Sequence, residues 1–560
     1  MINSADNLLE NILSLFNNTP KNNDTKDFIV QAMDAAAEIA SADGCFFFQI
    51  TPDNFMNLTY SKINSINTYI SGTSNLRLFP SVFLPNLRDK KRKTLVETCA
   101  VNKEIINSSN IFNEPNIEAS FLKDFDKEYN YTTVSALVFP LLDSRNNVIG
   151  VAQFINAMNS RGKISNFSAD NQSKMIALCK LLSLVLERKQ LAESYTQLLE
   201  SFIDILAKAI DDKSPYTGLH CQKVPIITRL LATAAVAETE GPLKNFEMSS
   251  EDWYSLHIAS WLHDCGKLIT PEHIIDKSAK LETIHNRIHE IRTRFEVLRR
   301  DAHIEYLQKR LKNVDTKEKL QAEFVAKIKQ LNEDFEFIGK CNIGDEALSQ
   351  NDIERLDKIS ELSFTRYFNR LAGLSWNEKK LINKPSTYSA PELEYVLQDR
   401  PEQLLSPYNN GELTNLKVIQ GTINDKERAK INEHIITTIN ILKSLPFPHE
   451  LSNIVEYAGA HHERVNGKGY PYGLTGDQMS IPAKIMAIAD VYEALTAKDR
   501  PYKEPKKLSE VLKIMQEMKN NGHLDPDLYE LFIKSGVYMD YAKDYIEKKQ
   551  IDEINPEEFL

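Results

Sequence analysis

The stretch HHERVNGKGYP, residues 461–471, sets two adjacent imidazoles directly before a turn with two glycines, a tyrosine and a proline. That order suits neither a plain helix nor a plain strand. The Asn466-Gly467-Lys468-Gly469 turn can take positive φ and bring backbone close to a ligand, while Tyr470 and Pro471 fix the loop beside it. Side chains at adjacent helix positions point about 100° apart. His461 and His462 therefore serve one centre only if it is crowded, with further groups supplied from elsewhere in the chain.

Those groups are found by moving outward. All 12 histidines lie at or after His220. The candidates are His220 in YTGLHCQKV, His263 and Asp264 in WLHDCGK, His434 in INEHIITT, and Asp490 in MAIADVYEAL. Each sits in or beside a helical, largely apolar pattern, where burying imidazole or carboxylate costs free energy unless it is paired or bound to metal. One such histidine is ordinarily a hydrogen-bonded core residue, but five with two aspartates read as a ligand set. Imidazole and carboxylate without thiolate suit Fe(II), Mn(II) or Ni(II) better than a Cys-type zinc site. Two such ions about 3.5–4 Å apart can share a carboxylate and a hydroxide placed for in-line attack on phosphorus. Phosphoester hydrolysis is the chemistry implied. Lys267, expected one helical turn beyond His263 on the same face, can meet a phosphate oxygen and stabilise charge developing there.

HDCGK (263–267), HHERVNGKGYP and IMAIADVYEALTAKDRPYK (485–503), in that order, resemble the HD-GYP family. These proteins are similar to the broader HD-domain phosphohydrolases, which are all-helical and metal-dependent, and many of them hydrolyse cyclic di-GMP. The resemblance implies that His220, His263, Asp264 and Asp490 hold one divalent metal, Fe(II) or Mn(II). It implies that Asp264, His434, His461 and His462 hold a second, with Asp264 as the bridging carboxylate. A third-metal ligand of some members, a glutamate four residues before the first histidine, is here Tyr216, so two metals are expected. Asp264 and Lys267 would be catalytic. Lys267, Tyr470 and Arg500 would face substrate, with the planar fork of Arg500 suited to bidentate phosphate recognition. His285, His289 and His303 could stand in for His434, but the E-R-x-x-I-N-x-H context matches the family at His434.

The earlier part of the chain alternates helix and strand. TKDFIVQAMDAAAEIASAD (25–43) has helical periodicity, GCFFFQI (44–50) is a short strand, and VSALVFPLLDSRNNVIGVAQFIN (134–156) reads as two strands across a polar turn at 143–147. This segment resembles the closing hairpin of GAF domains, over roughly residues 20 to 190. Asn156, Phe167 and Asp170 fit the signature of cyclic-nucleotide-binding GAF domains, while Ala157 and Asn171 do not. The resemblance therefore implies a GAF fold serving dimerisation or an unknown small ligand. From 171 to 212 there is no Pro or Gly, and Leu191, Tyr195, Leu198, Phe202, Ile205 and Ala209 are spaced 4, 3, 4, 3, 4. That is a heptad seam, expected to form a parallel coiled coil in a homodimer or else to pack on its own domain.

The expected architecture is multidomain: an α+β GAF-like domain over 1–170, a connecting helix over 171–212, and an all-α HD-type domain over 213–545, followed by a tail, 546–560. A largely helical insertion at about 282–420 would separate HDCGK from His434 and serve as a lid, a surface for a protein partner or a dimer brace. The 560 residues, 42% hydrophobic and 26% charged, are globular in composition. A net charge of −11 gives no general electrostatic reason to bind a nucleic acid polymer or an anionic membrane. Six cysteines without C-x-x-C spacing, no signal-peptide pattern and no membrane span point to the cytoplasm. The HD-GYP resemblance implies hydrolysis of cyclic di-GMP to pGpG, with GMP as the alternative end product. The alternatives are another cyclic dinucleotide such as cyclic GMP-AMP, or a receptor without turnover.

Overall fold

The computed structural model describes residues 25–51, 53–71, 81–87, 93–213, 220–381, 390–400, 411–497 and 505–560. It divides into two units, Met1–Leu199 and Glu200–Leu560. The first is built on an antiparallel sheet of β1 (Ala42–Ile50), β2 (Phe55–Ile63), β3 (Thr68–Ser71), β4 (Val82–Phe83), β5 (Ile106–Ser108), β6 (Ala136–Leu142), β7 (Val148–Met158) and β8 (Ile164–Ser165). The strand order is β3-β2-β1-β7-β6-β5, with β4 on β2 and β8 on β7.

Central strands β1 and β7 are apolar on both faces because both faces are covered. One face lies in a core with α1 (Thr25–Ala40), where Phe47, Phe139 and Phe154 join Met33, Met175 and Leu182. The opposite face packs on α2 (Leu95–Asn102) and α3 (Ser120–Glu128) through Phe46, Phe48, Val138, Cys99 and Phe125. The β6–β7 turn forms where the polar 143–147 stretch leads one to expect it. Asp143 Oδ1 accepts from Arg145 N and Asn147 N, and Asn146 takes φ 64°. Asn156 is committed to the fold: its Nδ2 donates to Tyr131 OH and Thr132 O, and its Oδ1 accepts from Val134 N. Phe167 is core, and Asp170 pairs with Lys174 on the surface.

Helix α4 runs Ala169–Lys213, 45 residues. Leu182 and Leu186 on this helix are buried in the first unit, and Ile203, Ala207 and Ile210 in the second. The heptad seam lies elsewhere on its surface: Leu191, Leu198 and Ile205 are 61%, 68% and 65% exposed. It is therefore not covered by the chain's own domain.

The second unit is helical. Helix α5 (His220–Ala237) packs on α6 (Ser250–Leu262), and the insertion follows as α7 (Ile288–Leu311), α8 (Lys317–Ile343) and α9 (Gln350–Ser360). Beyond it come α10 (Asp425–Ser444), α11 (Ile454–Gly459), α12 (Ile481–Thr496), α13 (Leu508–Asn520), α14 (Pro526–Lys534) and α15 (Val537–Tyr545). Capping boxes at Ser249/Asp252 and Asn424/Glu427 start α6 and α10 by satisfying free N–H groups. Residues 546–560 are not a loose tail. Buried Gln550 donates to Thr496 O and Lys506 O, Asp552 holds Ser509, and Phe559 is buried.

The insertion has its own core, in which Ile291, Phe295 and Leu298 of α7 meet Leu331 and Ile338 of α8 and Leu356 of α9. Although expected to be largely helical, it also contains a two-stranded ribbon, β9 (Ser363–Arg366) with β10 (Glu392–Tyr395). Arg366 secures it by reaching Glu392 at 2.5 Å and Glu394 at 2.6 Å across the strands. At its root, Lys277 lies before the insertion and Glu427 after it. They form an ion pair at 2.8 Å with both side chains at most 2% exposed, and Lys277 also reaches Asn415 Oδ1. Breaking such a pair strands a buried charge. Lys277→Met should therefore lower unfolding free energy by about 3–5 kcal/mol, and Lys277→Met/Glu427→Leu should recover most of it in urea titrations.

Candidate metal centre

Helix α6 ends at Leu262, with His263 as its C-cap, and the chain turns through Asp264 into a 3-10 segment, Cys265–Ile269. Gly266 makes that turn possible. A Cβ there would lie 1.9 Å from His434 O, so only glycine lets the segment rest on α10. Gly266 N donates to Thr438 Oγ1 at 2.9 Å, which fixes the approach. Asp264 and His434 are thereby brought face to face.

The two oxygens of Asp264 point to different histidines. Oδ2 lies 3.3 Å from Nε2 of both His220 and His263, and Oδ1 lies 3.4 Å from His434 Nε2. Asp490 Oδ1 is 3.2 Å from His220 Nε2. The ligand-type atoms form two groups, His220, His263 and Asp490 in one and Asp264, His434, His461 and His462 in the other, each within 4.8 Å. His285, His289 and His303 are elsewhere: His285 pairs with Glu290, His289 with Arg292, and His303 stacks near Tyr306 and Phe324.

Except at His220, the protonation states favour ligation. Burial pushes His434, His461 and His462 down, His462 to about 4, which leaves neutral imidazoles. Burial would raise the carboxyls, but Lys267 and His263 hold Asp264 well below the usual range, as His220 and His462 do Asp490. His220 is pulled down by burial and more strongly up by Asp264, Asp490 and Glu493. Asp264 Oδ1, His434 Nε2 and His461 Nε2 are buried without a hydrogen-bond partner among the described residues. Such orphaned atoms aimed at one point are what a metal ion would satisfy.

Three expectations about local backbone change. His461 and His462 are not on a helix, because α11 stops at Gly459 and both lie in the turn beyond it, with ring centroids 4.2 Å apart. Leaving the helix frees the two rings to face His263 and His434 respectively. Lys267 likewise is carried by the 3-10 turn rather than by the helix of His263, and its Nζ sits 2.5 Å from Asp264 Oδ2. Of the two loop glycines only Gly467 has positive φ, 74°; Gly469 is required because a Cβ would meet Glu463 backbone at 2.4 Å. Tyr470 packs on His462 with centroids 4.9 Å apart, and burial raises its phenol to about 12. Arg500 and Tyr216 lie outside the described residues.

Sequence reasoning passed over Glu463, Thr438 and Glu493. Buried Glu463 folds the loop by accepting from Tyr472 N, Gly473 N and Leu474 N. Its signal was present, an acidic residue directly after HH and before a glycine turn full of N–H groups. Thr438 is one helical turn after His434, and Glu493 approaches His220 Nδ1 at 2.5 Å.

His523 braces the same loop, with its carbonyl accepting from Val465 N, and burial together with Arg464 lowers its pKa from 6.5 to about 4. The folded state therefore binds its proton less readily than the unfolded chain. The stability this contributes is complete above pH 6.5 and is lost as pH falls towards 4. Between pH 7 and 4.5, His523→Gln should lose about 1–3 kcal/mol less stability than wild type in urea titrations.

The candidate centre thus lies in the helical second unit. The family model described as HD domain matches residues 406–528, which include His434, His461, His462 and Asp490. Among curated proteins, the chain is 36% identical over 115 residues to 3'3'-cGAMP-specific phosphodiesterase 1 of Vibrio cholerae, covering 20% of this chain and 26% of that protein. It is 43% identical over 86 residues to a cyclic di-GMP phosphodiesterase of Pseudomonas aeruginosa, covering 15% and 20%. A cyclic di-GMP phosphodiesterase of Thermotoga maritima is 32% identical over 114 residues, covering 20% and 30%. The chain thus spans less than a third of the length of these relatives. Among solved structures, the GAF domain of an Acinetobacter phosphoenolpyruvate-protein phosphotransferase aligns at 17% identity and a TM-score of 0.24, over 33% of this chain and 97% of that one. No described helix is long and apolar enough to cross a membrane.

Proposed function

We propose that this chain is a phosphodiesterase that opens cyclic di-GMP to pGpG or GMP at two divalent metals, Fe(II) or Mn(II). The observation that carries the reading is Asp264, whose two oxygens face separate histidine sets. His220, His263, Asp264 and Asp490 would hold one ion, and Asp264, His434, His461 and His462 the other. Bound ions would supply Lewis acidity and a nucleophile at neutral pH. Lys267, beside Asp264, keeps its ammonium because Asp264 and Asp490 outweigh the effect of burial. It is thus a fixed positive charge for a phosphodiester oxygen, strongest where water is excluded. Tyr470 lies against His462 as the wall of the substrate space, and Arg500 is assigned to phosphate or guanine contact.

The relatives support a cyclic dinucleotide as substrate, and their names divide between cyclic di-GMP and 3'3'-cGAMP. Cyclic GMP-AMP is therefore the second reading. The test is turnover of both nucleotides by anaerobically purified protein loaded with Fe(II) or Mn(II). Loss of cyclic di-GMP with appearance of pGpG supports the first reading, and turnover of cyclic GMP-AMP alone selects the second. Two bound metals with neither product would leave a non-hydrolysing receptor.

The exposed seam of α4 fits a second copy of the chain, since Leu191, Leu198 and Ile205 repeat every seven residues. The first unit would regulate this homodimer through a small ligand or through dimerisation itself, and the insertion offers a surface for a protein partner. Leu191→Glu/Leu198→Glu should convert a dimer to a monomer in sedimentation, and an unchanged mass would remove the seam from the account. The six buried thiols suit the cytoplasm.

A further inference from the structure

Three of the converging histidines are oriented by one device. His263, His434 and His461 each set Nδ1 against the carbonyl three residues earlier, Ser260 at 2.8 Å, Ile431 at 2.5 Å and Ala458 at 2.6 Å. Each Nδ1–H donates to backbone and leaves Nε2 for the centre. That arrangement needs a helical turn before the histidine. His220, the first residue of α5, is held differently.

Its Nδ1 instead meets Glu493 Oε2 at 2.5 Å, while its Nε2 faces Asp264 and Asp490. Glu493 is 2% exposed and sits three residues beyond Asp490 on α12, so one helical turn carries both. Lys223 Nζ is 3.7 Å from its other oxygen and helps keep a carboxylate in that buried place. We infer that Glu493 is a positioning residue for the metal centre, accepting Nδ1–H of His220 so that Nε2 is presented as the ligand atom. A carboxylate in this role fixes the tautomer and the ring plane and makes the imidazole a stronger donor. Because Glu493 and Asp490 share a rigid turn, the group that orients His220 and the carboxylate that joins it at the ion move together.

The inference rests on the two-metal reading, and Mn(II) titration of the full chain separates the two. Wild type should bind two Mn(II) per chain, whereas wild type that binds none overturns the two-metal reading. Glu493→Ala should bind one of the two ions about 10–100-fold more weakly, leaving one ion per chain at concentrations that fill wild type. Glu493→Gln, whose amide oxygen still accepts Nδ1–H, should restore two ions with affinity between the others. Two ions at wild-type affinity in Glu493→Ala, or Glu493→Gln no better than Glu493→Ala, overturns the inference. Thermal melting without metal checks folding. If Glu493→Ala fails to fold, Glu493→Gln decides: a loss of about threefold or more in affinity supports the role, and unchanged affinity overturns it.

Discussion

Asp264→Ala should abolish turnover and remove metal from both groups at once. No other described side chain has one oxygen 3.3 Å from His220 and His263 and the other 3.4 Å from His434. Removing it also deprives Lys267 of its 2.5 Å partner and takes a negative charge from the middle of a buried imidazole cluster. If the ions supply several kcal/mol of transition-state stabilisation, the loss in kcat/KM should be about 10³-fold or more. Asp490→Ala makes the contrast, because Asp490 belongs to the group of His220 and His263 and should release one ion chiefly. Metal analysis and turnover on the same samples test both. Asp264→Ala retaining two ions and about a tenth of wild-type activity would falsify the shared-carboxylate arrangement.

The second large effect concerns backbone alone. Gly266→Ala places a Cβ 1.9 Å from His434 O and 2.7 Å from Thr438 N. These are main-chain atoms of α10, so no rotamer change relieves the clash and the 3-10 turn must move away from the helix. A loss of about 4–5 kcal/mol is expected, at the upper end for single substitutions. The movement also separates Asp264 from His434, so metal affinity should fall even in molecules that remain folded. Gly162→Ala in the first unit is the control. It has positive φ, 68°, which Gly266 does not, and nothing within 4 Å of an added Cβ, and should cost about 1 kcal/mol. Equal melting shifts for the two variants would show that the Gly266 contact is not tight.

Much of this was legible in the sequence because it is local. Alternating and continuous apolar runs give β1, β6 and β7, the polar 143–147 stretch gives their turn, and unbroken helical periodicity gives α4 with its seam. Confinement of every histidine to the chain from His220 onward placed the candidate chemistry in the second unit. The ribbon β9–β10 escaped because four-residue strands carry little pattern and depend on Arg366 reaching two glutamates 26 and 28 residues away. The course of the 546–560 segment escaped for a similar reason, since Gln550 is held by carbonyls of Thr496 and Lys506.

By itself the sequence determined which residue types are available to the site, in what order, and on what kind of local structure. It named the imidazoles and carboxylates and, through the context shared with the family it resembles, preferred His434 over His285, His289 and His303. Only the tertiary structure decided which atoms converge. It placed His434 against Asp264 through the Gly266 contact, divided the oxygens of Asp264 between two histidine sets, took His461 and His462 off their helix, and set Glu493 behind His220. The physical reason is that a ligand set is a non-local object. Its members come from segments as far apart as His220 and Asp490, and their burial is tolerable only together, each orphaned or charged group being compensated by the others.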